Sequence, residues 1–92
     1  MATTANRQTS SHAQTLSRGI RALEVLAEAG RPISIADLAA ALDVHRSVAY
    51  RILRTLEDYA FVARVEDGRY TLGLGLAVLA GTGIGESELR IE

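Results

Sequence analysis

The stretch that decides the fold is residues 34–58, SIADLAAALDVHRSVAYRILRTLED. Two apolar-periodic segments are separated here by a few turn residues, and arginine enters at the start of the second. At 100° per residue, Val48, Ala49, Ile52, Leu53 and Leu56 fall on one side of the second segment. Arg46, Ser47, Tyr50, Arg51 and Arg54 fall on the other, with no acid before Glu57 and Asp58. The helix macrodipole favours the reverse arrangement, with acids near the start and bases near the end. A helix that crowds arginine into its first turns gives up local stability, and an external polyanion supplies the reason. The stretch reads as a helix-turn-helix whose second helix is the recognition helix.

The neighbouring sequence extends that reading in both directions. Ser34 is placed as an N-cap, and Asp37, three residues on, can answer it in a capping-box arrangement. Ile35, Leu38, Ala39 and Leu42 then face inward, Asp43-Val44 make the turn, and the recognition helix is expected from His45 to Tyr59. Upstream, Leu16, Ile20, Leu23, Leu26 and Ala27 recur at helical spacing, which predicts a first helix over Leu16–Ala29 stopped by Gly30. Arg31-Pro32 starts the connecting turn. Residues 1–14, rich in Thr, Ser, Ala and Gln, lack apolar periodicity and are expected to be a disordered tail.

Downstream the period changes to two. Residues 61–65 and 69–72 are β-prone runs around Glu66-Asp67-Gly68, and Asp-Gly is a strong hairpin turn signal. A hairpin directly after a helix-turn-helix is a wing. The expected fold is therefore mainly α with a small β-hairpin: a winged helix-turn-helix with a three-helix core, spanning residues 15–73. Leu74, Leu76, Ala77, Val78 and Leu79 then suggest a short apolar helix that fades into Gly81-Thr82-Gly83-Ile84-Gly85. Each of those glycines costs about 1 kcal/mol relative to alanine inside a helix. Residues 86–92 begin another polar segment of helical character.

At 92 residues with 48% hydrophobic and 23% charged content, the chain fits one small globular domain. The formal net charge of −1 carries no global basic signature. The charge is instead sorted along the chain: residues 45–55 hold three arginines and no acid, whereas residues 86–92 hold three glutamates against one arginine. All ten basic residues are arginine. Its planar fork suits phosphates and guanine edges, although a coding bias would give the same composition. With no cysteine, a disulfide framework and a thiolate metal site are excluded. His12 and His45 have no third ligand nearby in the sequence, so no metal is expected. No cofactor is expected either. The glycine-rich 81–85 lacks the Lys-Ser/Thr ending of a phosphate loop and reads as a linker. No secretory signal is visible, and the uncharged run Thr71 to Gly85 is too short and glycine-broken for a membrane span. A cytoplasmic, nucleoid-associated location is the matching expectation.

The segments LSRGIRALEVLAE, ISIADLAAALDVHRSVAYRILRTLED and FVARVEDGRYTLGLGL, in this order and spacing, resemble the N-terminal winged helix-turn-helix domain of the isocitrate lyase regulator (IclR) family of bacterial transcription factors. The resemblance covers roughly residues 15–79. It implies that Arg46-Ser47 and Tyr50-Arg51 face an operator, and that Gly68-Arg69-Tyr70-Thr71-Leu72-Gly73 closes the wing. It also implies that residues 74–92 are a linker toward a larger effector-sensing domain, absent from this chain, through which a small-molecule effector would act. The implied partner is double-stranded DNA, an inverted repeat bound by a homodimer.

The candidate DNA-contacting residues are Arg46, Ser47, Tyr50, Arg51, Arg54, Ser34, Arg64 and Arg69. Several have a second reading. Arg54 is four residues from Asp58 and can pair with it. Tyr50 is either a half-buried packing residue or a contact. Ser34 caps a helix on either reading, and a helix N-terminus can also meet phosphate. Arg64 and Arg69 either touch DNA or solubilise the hairpin, and Arg18 suits an ion pair with an acid on a neighbouring helix. No Ser/His/Asp set, cysteine nucleophile or pocketed carboxylate pair supports an enzyme. The other functional class is a winged helix that binds protein rather than DNA; it would present an apolar or acidic recognition face, which the arginines oppose.

Overall fold

The computed structural model describes residues 13–83 of the chain. Its elements are α1 (Gln14–Ala29), α2 (Ile35–Leu42), α3 (Arg46–Asp58), β1 (Val62–Arg64), β2 (Tyr70–Leu72) and α4 (Leu74–Gly83). This is a mainly helical winged helix fold with a two-stranded antiparallel hairpin. The expected tail falls outside the described residues up to residue 12, as do Gly85 and the polar segment 86–92. Among the described residues, no helix is long and apolar enough to cross a membrane.

Local chemistry sets the helix ends. Gly30 caps α1 in the left-handed region at φ 65°, returning its N–H to the Leu26 carbonyl. Ser34 Oγ accepts the Asp37 backbone N–H at 3.1 Å and so takes up one of the four free donors at the start of α2. Asp43 ends α2 at φ 57°, a left-handed conformation that its short polar side chain tolerates. The Val44 N–H then returns to Ala39, which turns the chain into α3.

The core gathers Ala22 and Leu26 from α1, Leu38 from α2, Leu53 from α3, Val62 and Tyr70 from the hairpin, and Ile33. On α3 the buried positions are Ala49, Ile52 and Leu53, with Val48 and Leu56 half-buried, which is the face the spacing predicts. On α1 the outcome differs. Leu16 and Ile20 are exposed at 66% and 51%, while Gly19, Ala22 and Leu26 are buried. The buried stripe is rotated round the helix from the one the large residues mark. That stripe meets α3: a Cβ on Gly19 would sit in ordinary contact, 3.9 Å from Ile52 Cγ2.

Two features of the hairpin were not expected. Ile33 pairs with Tyr70 through two backbone hydrogen bonds of 2.8 Å, so the α1–α2 connection flanks the sheet as a third, one-residue strand. The turn also differs from the two-residue Asp-Gly type. Gly68 N–H returns to Val65 O, Gly68 lies at φ 88°, and neither Glu66 nor Asp67 has a positive φ. A primed turn needs positive φ at both central residues, so Gly68 serves instead as the left-handed residue after an ordinary turn.

The start of α4 is seated on the α3–β1 turn. Gly73 N–H donates to Phe61 O at 2.8 Å and Gly75 N–H to Ala60 O at 2.7 Å. A Cβ on Gly75 would stand 2.5 Å from the Tyr59 carbonyl oxygen, and one on Gly73 would be closer still to that of Ala60. Only glycine permits this approach. Despite the expected weakening, α4 runs through Gly81 to Gly83. It carries Leu74, Val78 and Leu79 in exposed positions.

Candidate nucleic-acid interface

The outer face of α3 presents Arg46, Ser47, Tyr50, Arg51 and Arg54, all exposed. The first turn of α3 contains no acid, and its N-cap is His45. His45 Nδ1 accepts the Ser47 backbone N–H at 3.3 Å and lies 3.2 Å from Ser47 Oγ. That bond uses the Nδ1 lone pair, so the ring that caps the helix carries its proton on Nε2. From the sequence, His45 was expected to begin the helix and not to bind metal, and no capping role was expected for its side chain. Its position one residue before the apolar-periodic segment was the available signal for a cap.

Arg46 and Arg51 make no ion pair or side-chain hydrogen bond with the described residues. Arg54 is engaged, but not as expected. No Arg54–Asp58 ion pair forms among the described residues; its guanidinium is stabilised in its charged form first by hydrogen bonding with Tyr50, then by Tyr50 and Asp58 electrostatically. The same contact, followed by one from Arg64, holds the Tyr50 hydroxyl below its ordinary value of 10.0. Tyr50 is 39% exposed, so it is neither fully packed nor free.

The wing cations are committed within the protein. Arg69 Nε lies 2.7 Å from Asp67 Oδ2, and the Arg69 backbone N–H donates to Asp67 Oδ1 at 3.2 Å. Hydrogen bonding from Arg69 lowers the Asp67 carboxyl pKa below 3.8. Arg64 Nη2 lies 3.5 Å from Glu57 Oε1, with the guanidinium 5.2 Å from the Tyr70 ring and 6.0 Å from that of Tyr50. Burial raises the Tyr70 hydroxyl pKa. The sequence reading gave Glu57 and Tyr70 no part at the site.

Of the expected residues, the structure brings Arg46, Ser47, Tyr50, Arg51 and Arg54 onto one exposed helix face and joins Arg64 to its Tyr50 end. Ser34 is half-buried, with its Oγ used by the Asp37 amide. Arg69 points to its own turn. Arg18 makes no ion pair among the described residues. It borders an open groove between α1 and α3 together with Leu16, Val48, Arg51 and Leu56.

Residues 15–66 match the IclR helix-turn-helix domain. The chain belongs to that family. The IclR match ends inside the hairpin turn and takes in the whole of α2, α3 and β1. Among curated relatives, the glycerol operon regulatory protein of Streptomyces coelicolor is 37% identical over 78 residues, covering 84% of this chain and 31% of that protein. The protein of the same name from Streptomyces griseus is 35% identical over the same length and shares. A crystal structure of an IclR transcriptional regulator from Alicyclobacillus acidocaldarius superposes with a TM-score of 0.70 at 30% identity, covering 74% of this chain and 28% of that one. The chain thus spans about three-tenths of the length of the relatives it matches.

Proposed function

We propose that this chain is the DNA-binding part of a bacterial transcriptional regulator of the IclR type and binds duplex DNA with sequence preference. The observation that carries the reading is the exposed, acid-free start of α3, where Arg46 and Arg51 have no partner among the described residues. A helix of this size enters the major groove, where arginine can meet guanine O6 and N7 with both arms. Arg46 and Arg51 are the residues assigned to base edges. Ser47, Tyr50 and Arg54 flank them, and Arg69 meets backbone once it leaves Asp67. Ser34 contributes by ordering the start of α2, with its backbone amides available to phosphate. Residues 15–73 form the binding domain, and residues 74–92 lead toward an effector-sensing domain. Nothing in this reading requires a catalytic step, and it places the protein in the cytoplasm at the nucleoid.

One recognition helix reads only a few base pairs, so paired copies on an inverted repeat supply useful specificity. The exposed Leu74, Val78 and Leu79 of α4 are the proposed contact between copies. The chain is expected to be mostly monomeric when free and to pair on DNA, which sedimentation with and without an inverted-repeat duplex measures. The principal experiment is selection of bound sequences from a random duplex pool, followed by titration at several salt concentrations. Each neutralised phosphate adds about −0.9 to the slope of log K against log salt. A recovered inverted repeat and a steep slope are expected. A flat salt response with no enriched sequence would overturn the reading.

A further inference from the structure

Arg64 looks, in the sequence, like a wing cation aimed at DNA. The strand geometry turns it the other way. Val62 is buried in the core, and alternation along β1 puts Arg64 on the same face. Its register partner across the hairpin is Tyr70, which is 3% exposed. From there the guanidinium reaches α3 at two points. It lies 3.5 Å from Glu57 and within 6.0 Å of the Tyr50 ring centroid. Tyr50 and Glu57 are seven residues apart, two turns along one helix face. Arg64 therefore ties the wing strand to two points on the recognition helix, and its plane rests on an aromatic ring of the second wing strand.

We propose that Arg64 is a positioning residue that, held by Glu57 and Tyr70, fixes the Tyr50 ring in the orientation in which α3 presents it to DNA. This rests on the reading that α3 meets base pairs. Glu57 keeps the guanidinium in place and offsets its charge, while Tyr70 sets its plane. An exposed tyrosine would otherwise sample several rotamers and lose that freedom on binding, so fixing it beforehand strengthens and sharpens the contact. Base preference at the pairs that Tyr50 reads then depends on a residue that itself touches no DNA.

The test uses the whole chain, with Arg64→Ala, Arg64→Lys, Tyr50→Ala and the Arg64→Ala/Tyr50→Ala double variant. Duplex affinity is measured at several salt concentrations and across single-base changes in the selected site. Arg64→Ala is expected to weaken binding about two- to fivefold, the range of an exposed cation–π contact. The salt slope should stay unchanged, and preference should relax only at the base pairs where Tyr50→Ala relaxes it. In the Tyr50→Ala background, removing Arg64 should cost nothing further. Arg64→Lys should not restore binding, because an ammonium keeps the charge but loses the stacked plane. A slope shallower by about 0.9 in Arg64→Ala, restored by lysine, would make Arg64 a phosphate contact and overturn the proposal. Additive losses in the double variant would overturn it as well. In the free protein, ring NMR of labelled tyrosines supplies a readout without DNA: Arg64→Ala should shift the Tyr50 ring resonances, because the guanidinium 6.0 Å from the ring centroid is removed, and unmoved resonances overturn the clamp. No base preference in the unsubstituted protein would sink the underlying DNA reading, and the proposal with it, before any variant is compared.

Discussion

Arg46 and Arg51 on α3, and Arg64 and Arg69 on the hairpin, carry the same charge in the same solvent, but their surroundings differ. The helix pair has no acidic partner among the described residues, whereas each wing arginine is held by a carboxylate, Glu57 or Asp67. A count of arginines treats the four alike. What a polyanion meets is the charge left after local pairing, and that is concentrated at the start of α3. The wing holds its arginines for its own architecture first. A surface pair of this kind is weak and salt-screened, so a phosphate can still compete for Arg69, at the cost of the Asp67 contact.

The largest effect should come from the helix side of this contrast. Arg46→Ala and Arg51→Ala should each weaken binding by about 1–3 kcal/mol and relax preference at particular base pairs. Titration against single-base variants of the selected site checks it. Losses no larger than those of the wing variants would erase the contrast.

The start of α4, just beyond the wing, should respond to packing rather than to charge. Gly75→Ala forces a methyl group against the Tyr59 and Ala60 carbonyls, where neither backbone can retreat freely. A loss of about 1–3 kcal/mol in thermal unfolding is expected, the usual range for overpacking. An unchanged melting temperature would mean that α4 is not seated on the α3–β1 turn.

A smaller effect separates presentation of the helix face from its charge. His45→Ala removes the side-chain acceptor for the Ser47 N–H while leaving every arginine in place. It should lower stability by about 0.5–1 kcal/mol, the low end for loss of an N-cap. Binding should weaken without a change in salt slope.

The smallest effect probes the wing pair directly. Asp67→Asn releases Arg69 and should make the salt slope steeper, by at most about 0.9. Arg69→Ala should weaken binding only slightly and evenly across sequences. The pH dependence has a definite sign. Because the folded Asp67 pKa is depressed by Arg69, the pair's contribution is present above the unfolded carboxylate pKa and is lost as pH falls through the lowered folded value. Unfolding followed by denaturant titration below pH 4 should show a shallow loss that Asp67→Asn abolishes.

The core-facing side of α3 was legible because its large residues and its buried residues coincide. Nothing on that helix competes with Val48, Ile52, Leu53 and Leu56 for the interior. On α1 the same reasoning held for Leu23 and Leu26 and failed for Leu16 and Ile20. Leu16 and Ile20 carry the hydrophobic signal, but the small residues Gly19 and Ala22 take the buried positions beside Leu26. The turn between the strands was placed correctly but its type was left open, because Asp-Gly serves two turn geometries and only the backbone angles separate them. The Ile33–Tyr70 bridge had no signal at all: one residue is too short to show a period.

By itself, the sequence determined the order of elements, the cap at Ser34, the stop at Gly30, the turn at Asp43-Val44, the hairpin and the exposed arginine face of α3. These depend on neighbours within a few residues, whose spacing is written in the chain. Tertiary structure alone decided which arginines remain available, which face of α1 is buried and how α4 is seated. Glu57 and Arg64 are seven positions apart and Arg64 and Tyr70 six, and what joins them is the angle at which the hairpin returns to the helix. The close contacts of Gly73 and Gly75 with the Ala60 carbonyl, which seat α4, are likewise made across folded backbone and have no local periodicity to read.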